Sequence, residues 1–293
     1  MRRFFLTLFT AFALSLFWAG CSQSVSNSAD GEVDDSGFMF VNGDWEYSEW
    51  GQEHDYPLDF NANLIVVGNY TGTSDGATVE ELAKRILDRL NMGLNPGGVS
   101  VRKVNVLFAK EHPVVGADFA GIEVMELGKE GEHEILAPLV QWPGHEGEVD
   151  FILGHHVYEG MGSDGVEVGY SPSPGVIYSE AYPQMAVAGY IAIVTHGKGE
   201  IKRGYTATQI ANVALHELGH FFGLSHTSEI GGTKFDDIDD TPECRNMVMN
   251  NLDACEDRNY LMFPLEQMDW SYASFSPQQM KVIQSYLATV PHI

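Results

Sequence analysis

The sequence predicts an α+β fold: a mixed, twisted sheet backed by two helices, over a smaller irregular C-terminal lobe that closes with a final helix. Three observations carry this expectation. Short β-rich runs alternate with two segments of helical period before residue 227, each of those segments opens with a capping box, and an irregular stretch over 227–275 precedes one last amphipathic segment.

NLIVVG (63–68) reads as the first strand. Thr78 and Glu81 stand three apart and predict a helix start, after which Leu82, Ile86, Leu87 and Leu90 recur at helical spacing until NPGG (95–98) ends the pattern. VSVRKVNVLFA (99–109) alternates like a strand, whereas 111–148 mixes glycines, prolines and acids and reads as an insertion or long loops. VDFILG (149–154), the shorter GVIYS (175–179) and YIAIVTH (190–196) supply the remaining strands. Thr206 and Gln209 form the second capping box, followed by the apolar positions Ile210, Val213, Ala214 and Leu218. Ser276, with Pro277 at the first helical position, opens the last helix, whose buried face is Met280, Ile283 and Leu287.

The 293 residues, 44% hydrophobic, suffice for one large domain of two lobes. The opening MRRFFLTLFTAFALSLFWAG, with two arginines before the apolar run Phe4 to Trp18, reads as a signal peptide over 1–20, the alternative being a retained N-terminal anchor. That run is short for a bilayer span, and no later stretch reaches 18 apolar residues, so no integral helix is expected in the mature chain. Ala19-Gly20-Cys21 resembles the lipobox of bacterial lipoproteins, which would make Cys21 the lipidated residue; Trp18 stands where leucine is usual, which leaves simple secretion open. Residues 21–58 then form a tether and N-terminal segment, and 59–293 the domain, with an upper lobe over about 59–226 and a lower one over about 227–293. The location expected is extracytoplasmic, in a bacterial envelope or beyond it. In such a compartment Cys244 and Cys255 are expected to pair. With 16 basic against 41 acidic side chains, a formal charge of −25, nucleic acid is excluded as a partner, and the membrane is touched only through a lipid anchor. A monomer is expected.

HELGHFFGLSH (216–226) falls on the second helix. Residues four apart share a helical face, so His216 and His220 aim at a common point, and Glu217, about 100° around the axis, flanks that point without joining it. A third ligand further along the straight axis would be out of reach, so the chain must turn. Gly223 can take positive φ and end the helix, bringing His226 back beneath the site. Three neutral imidazoles with an open fourth position suit a catalytic zinc.

These residues resemble the metzincin metallopeptidases, whose signature is HExxHxxGxxH followed by a methionine-containing turn. NYLMFP (259–264) looks like that turn, with Met262 as the family methionine forming a hydrophobic floor under the histidines. The LMFP sequence is similar to matrixins, while Asp239-Asp-Thr-Pro242, the paired cysteines and the interval from His226 to Met262 look more like pappalysins. Pro264 stands where several subfamilies place a tyrosine that helps stabilise the oxyanion, and Tyr260 is out of register. The resemblance implies a zinc endopeptidase in which Glu217 is general base to a zinc-activated water, with a protein or peptide substrate extended along the sheet's outermost strand, for which GVIYS is the candidate. The alternative is an inactive surface metal-binding or adhesion module on a peptidase fold, against which the intact Glu217 argues.

Weaker constellations remain. Asp236, Asp237, Asp239 and Asp240 offer oxygens suited to calcium, although not at EF-hand spacing, and a solvated acidic turn is the plainer reading. His155, His156, Glu159 and Asp164 could form a second metal site like the structural zinc of matrixins, or simply a solvated loop. His54 and Asp55 could block the cleft, or belong to a surface turn.

Overall fold

The computed structural model describes residues 18–20, 58–128, 132–157, 169–175, 177, 189–196, 204–245, 254–264 and 273–289. Cys21, His54, Asp55, Glu159 and Asp164 lie outside the described residues. In chain order the strands are β1 (Trp18–Gly20), β2 (Leu58–Val66), β3 (Val99–Phe108), β4 (Glu126–Leu127), β5 (Val149–Gly154), β6 (His156–Val157), β7 (Gly169–Pro172) and β8 (Ile191–Val194). The helices are α1 (Val79–Leu94), α2 (Gly116–Phe119), α3 (Glu132–Leu136), α4 (Ala207–Phe221) and α5 (Pro277–Thr289).

The main sheet has the order β1-β7-β8-β5-β2-β3. β2 runs parallel to β3 and β5, β5 runs parallel to β8, and β7 lies antiparallel to β8. The architecture is thus the mixed α+β arrangement that the order of elements implied.

Local chemistry starts the three long helices, α1, α4 and α5, where the sequence placed them. Thr78 accepts from the Glu81 amide while Glu81 accepts from the Thr78 amide, and Thr206 with Gln209 repeats the device on α4. Ser276 and Gln279 exchange the same two bonds at the start of α5. One face of the sheet, with Leu64, Val66, Phe151 and Ile193, packs against Leu82, Ile86 and Leu90 of α1 and Ile210, Ala214 and Leu218 of α4. Two polar ties fix the helices further. Buried Arg89 of α1 donates to Asn212 of α4 at 2.6 Å and to the Ala273 carbonyl at 2.8 Å, and Asn91 pairs with both backbone groups of Val101 on β3.

The stretch 111–148, expected as an insertion or long loops, builds a third layer. Phe119, Leu127, Leu136, Leu139 and Trp142 cover Ile65, Val67, Ile152 and Val194 on the other face of the sheet. β5 is buried at all six positions for this reason, as a parallel strand covered on both sides must be. The lower lobe shares a core with the upper: Leu261, Met262, Phe275, Met280, Ile283 and Leu287 belong to the same cluster as α1 and α4. Among the described residues no helix is long and apolar enough to cross a membrane.

Candidate metal centre and cleft

α4 and the turn after it build the centre. Its last residues end in a Schellman motif: Leu224 N donates to Gly219 O at 3.0 Å and Gly223 N to His220 O at 2.8 Å, with Gly223 at φ 94°. The reversed chain carries His226 back, as the glycine predicted, and ligand nitrogens of His216, His220 and His226 lie within 4.8 Å of one another, all buried.

Each ring is held by its Nδ1. His216 donates to the Leu261 carbonyl at 2.6 Å, His220 to the Leu224 carbonyl at 2.7 Å, and His226 to Glu229 Oε1 at 3.1 Å. All three partners accept, so in the neutral rings every proton sits on Nδ1 and every Nε2 presents a lone pair inward. Burial, followed by the proximity of His226, depresses His216 to about 3, and burial with both neighbouring rings holds His220 well below the usual histidine range. His216 and His220 therefore stay neutral at physiological pH. His220 Nε2 and His226 Nε2 stand 3.0 Å apart, two bare acceptors that repel unless a cation lies between them. A tetrahedral zinc with bonds of about 2.0–2.1 Å sets its nitrogens roughly 3.3 Å apart. The residues present fit that ion.

Met262 is fully buried, and its sulfur lies directly beneath Gly219, between the two helical histidines. Met262 thus packs against the helix that carries His216 and His220. The residue after the third histidine is tied to the same turn, since Thr227 N donates to Met262 O at 3.0 Å and its hydroxyl to Asp257 Oδ2 at 2.9 Å. Cys244 and Cys255 are bonded, and Cys244 N donates to Ser228 Oγ at 2.8 Å, so the disulfide loop is fastened to the chain leaving His226.

Glu217, wholly buried, faces β7: a β-carbon on Gly169 would lie 3.0 Å from Glu217 Cγ and 2.8 Å from Ala192 O. The strand beside Glu217 is Gly169–Pro172, with Trp18–Gly20 paired outside it; GVIYS, expected as the outermost strand, is not strand at Gly175 and Ile177, and its other three positions lie outside the described residues. The glycine of β7 is demanded by the approach of α4 and of the Ala192 carbonyl, and Pro172 is the last residue of the strand. Past β7, Gly175 N donates to Phe221 O and Tyr286 of α5 donates to Gly175 O, both at 2.8 Å, which ties the chain after β7 to α4 and α5.

The remaining candidates do not assemble. Asp240 accepts from Ser276 Oγ and from Gln278 N, so it caps α5, and Asp236 accepts from the Thr241 hydroxyl, while Asp237 and Asp239 are exposed. Among the described residues only the three histidines, and Cys244 with Cys255 and Asp257, group closely enough to hold an ion, so calcium at the four aspartates has no support. His155 uses both ring nitrogens on backbone, accepting from Met125 N and donating to Asn69 O, while His156 pairs with Glu126 at 2.8 Å; the pair does not converge on a second metal. Gly169, Thr227, Glu229 and Asp257 carry no signal in the sequence because none sits in a periodic pattern or a spaced motif, and Gly219 occupies a variable position of the histidine motif.

Residues 173–288 match the family model described as pregnancy-associated plasma protein-A, a peptidase family. No curated protein matches in sequence. Among solved structures, metalloproteinase-II from Bacteroides fragilis is 14% identical with a TM-score of 0.40, over 80% of this chain and 54% of that one, so this chain spans about half of its length. Mature mirolysin from Tannerella forsythia, solved with a cleaved peptide, is 12% identical with a TM-score of 0.42, over 82% of this chain and 100% of that one. The matched residues include the three converging histidines and the buried methionine turn, so this part of the chain is similar to that peptidase family.

Proposed function

We propose that the protein is a zinc-dependent endopeptidase, exported from the cytoplasm and either lipid-anchored at Cys21 or secreted. The observation that carries this reading is the set of three buried Nε2 lone pairs aimed at one point, with Glu217 beside them on the same helix. When bound there, zinc supplies the Lewis acidity that polarises a carbonyl and acidifies water. The protein's own part is positional. The Leu261 and Leu224 carbonyls and Glu229 hold the rings in one tautomer, and Met262 packs under Gly219 of the helix that carries two of them. Glu217, set between α4 and β7, takes a proton from water and returns it to the departing amine, so that one water is consumed for each peptide bond broken.

An extended substrate fits along β7. The edge of that strand away from β8 takes antiparallel pairing and is occupied by Trp18–Gly20, which aligns with Tyr170–Pro172. Removal of the leader, which the sequence leads one to expect, would open the edge to a peptide held through its backbone. Access from one open edge favours internal cleavage over trimming of ends. The test is cleavage of a protein-derived peptide library by purified mature protein, with a zinc chelator and zinc re-addition. Cleavage inside peptides, lost on chelation and regained with zinc, supports the proposal. A mature protein that binds zinc but cleaves nothing would favour the inactive binding module.

A further inference from the structure

The three histidines are not held alike. His216 and His220 ride on a rigid helix and give their Nδ1 protons to neutral backbone carbonyls. His226 lies beyond the helix end, where no helical hydrogen bonds fix its backbone, and its Nδ1 proton goes to a carboxylate, Glu229 Oε1 at 3.1 Å.

Glu229 stands in a built position. The chain after His226 folds into a tight hairpin, with Ser228 bridged to Phe235, Glu229 N donating to Lys234 O at 2.9 Å and Gly232 N donating to Glu229 O at 2.9 Å. Gly231 at φ 99° and Gly232 at φ 62° turn it, and any β-carbon on Gly232 would lie 2.6 Å from the Arg245 backbone. The hairpin is thus pressed against the disulfide segment, which fixes where the Glu229 backbone begins. Its side chain, 33% exposed, is largely enclosed beside the ring it holds.

We infer that Glu229 is a positioning residue for the third zinc ligand: its carboxylate orients the His226 ring and, through a charge-assisted hydrogen bond, makes the ring a stronger donor than either helical histidine. A carboxylate behind a metal-bound imidazole fixes ring orientation and raises ligand basicity, and losing such a partner typically costs about 10–100-fold in metal affinity. The hairpin therefore contributes to metal retention without touching the metal. This inference rests on the zinc reading above.

The test is chelator competition on wild type, Glu229→Ala, Glu229→Gln and His226→Ala, with the absorption spectrum of the cobalt-substituted proteins as a second readout. The expected zinc dissociation constant rises by about 10–100-fold in Glu229→Ala, with Glu229→Gln between it and wild type because the amide oxygen still accepts from Nδ1. The cobalt bands should shift in Glu229→Ala and recover in part in Glu229→Gln. Equal affinity and identical cobalt spectra in wild type and Glu229→Ala would overturn the inference, as would a Glu229→Ala loss matched by an equal loss of thermal stability in the metal-free protein, which marks a folding defect. A wild type that holds no zinc, or holds it as tightly after His226→Ala, would instead overturn the zinc reading itself.

Discussion

Gly219 and Met262 meet so closely that a β-carbon on the glycine would lie 2.4 Å from the methionine sulfur and 3.0 Å from Phe275. The helix bearing two of the histidines therefore rests on the turn through bare backbone, which sets the height of both rings over their floor.

Gly219→Ala is accordingly expected to destabilise the protein. Ordinary helix propensity would favour alanine, but overpacking of a filled core costs about 1–3 kcal/mol. Thermal denaturation of the zinc-free protein should show a clear loss. Met262→Leu, close to volume-conserving, should cost less than about 1.5 kcal/mol. If Gly219→Ala proves stabilising, the floor is looser than described.

Thr227→Val removes the hydroxyl that reaches Asp257 Oδ2 and leaves a fully buried carboxylate without that donor. Its Oδ1 already has no partner, so the loss should cost about 1–3 kcal/mol by chemical denaturation. Thr227→Ser should retain most of the stability, and equal losses in both variants would show that the methyl group, not the hydrogen bond, matters.

The disulfide closes a loop between residues 11 apart, for which a chain-entropy model gives about 3 kcal/mol. Replacing Cys244 and Cys255 by serine should lower thermal stability while zinc stays bound, since no histidine hydrogen bond passes through either sulfur. Loss of zinc from the double variant at temperatures where it remains folded would show that the clasp on Ser228 reaches the metal.

Asp236 gives a pH test. Burial pushes its carboxyl up to about 6, despite the Thr241 hydroxyl that favours the charged form. The folded state thus keeps a proton that the unfolded state has lost, so stability falls as pH rises from the unfolded value near 4 through 6, and the cost is complete above that. Asp236→Asn, which still accepts from Thr241, should be more stable than wild type at pH 7–8 without calcium and no more stable at pH 4. A calcium-dependent rise in the melting temperature of wild type, absent from the variant, would restore the cation site that the geometry does not support.

Much of this was legible in the sequence because it is written in local chemistry. Capping pairs at Thr78, Thr206 and Ser276 fix helix starts, and the spacing from His216 to Gly223 to His226 dictates both the shared face and the turn. What stayed hidden depends on contacts between distant segments. β7 is a strand because β1 and β8 pair with it, and its glycine is explained by Ala192, Val213 and Glu217, the last 48 positions later. Residues 111–148 lack a period because they cover a sheet face in short irregular pieces, and the acidic run at 236–240 looked like an ion site until α5 claimed Asp240.

Whether these histidines and Glu217 form a working hydrolytic site is decided by the cleavage rate and zinc content of wild type against Glu217→Ala on the same peptide library. Because Glu217 is not among the three ligands, the variant should keep its zinc and its fold, while hydrolysis falls by at least about a hundredfold, as expected when a general base is removed. Equal cleavage by both proteins at equal zinc content would contradict such a site.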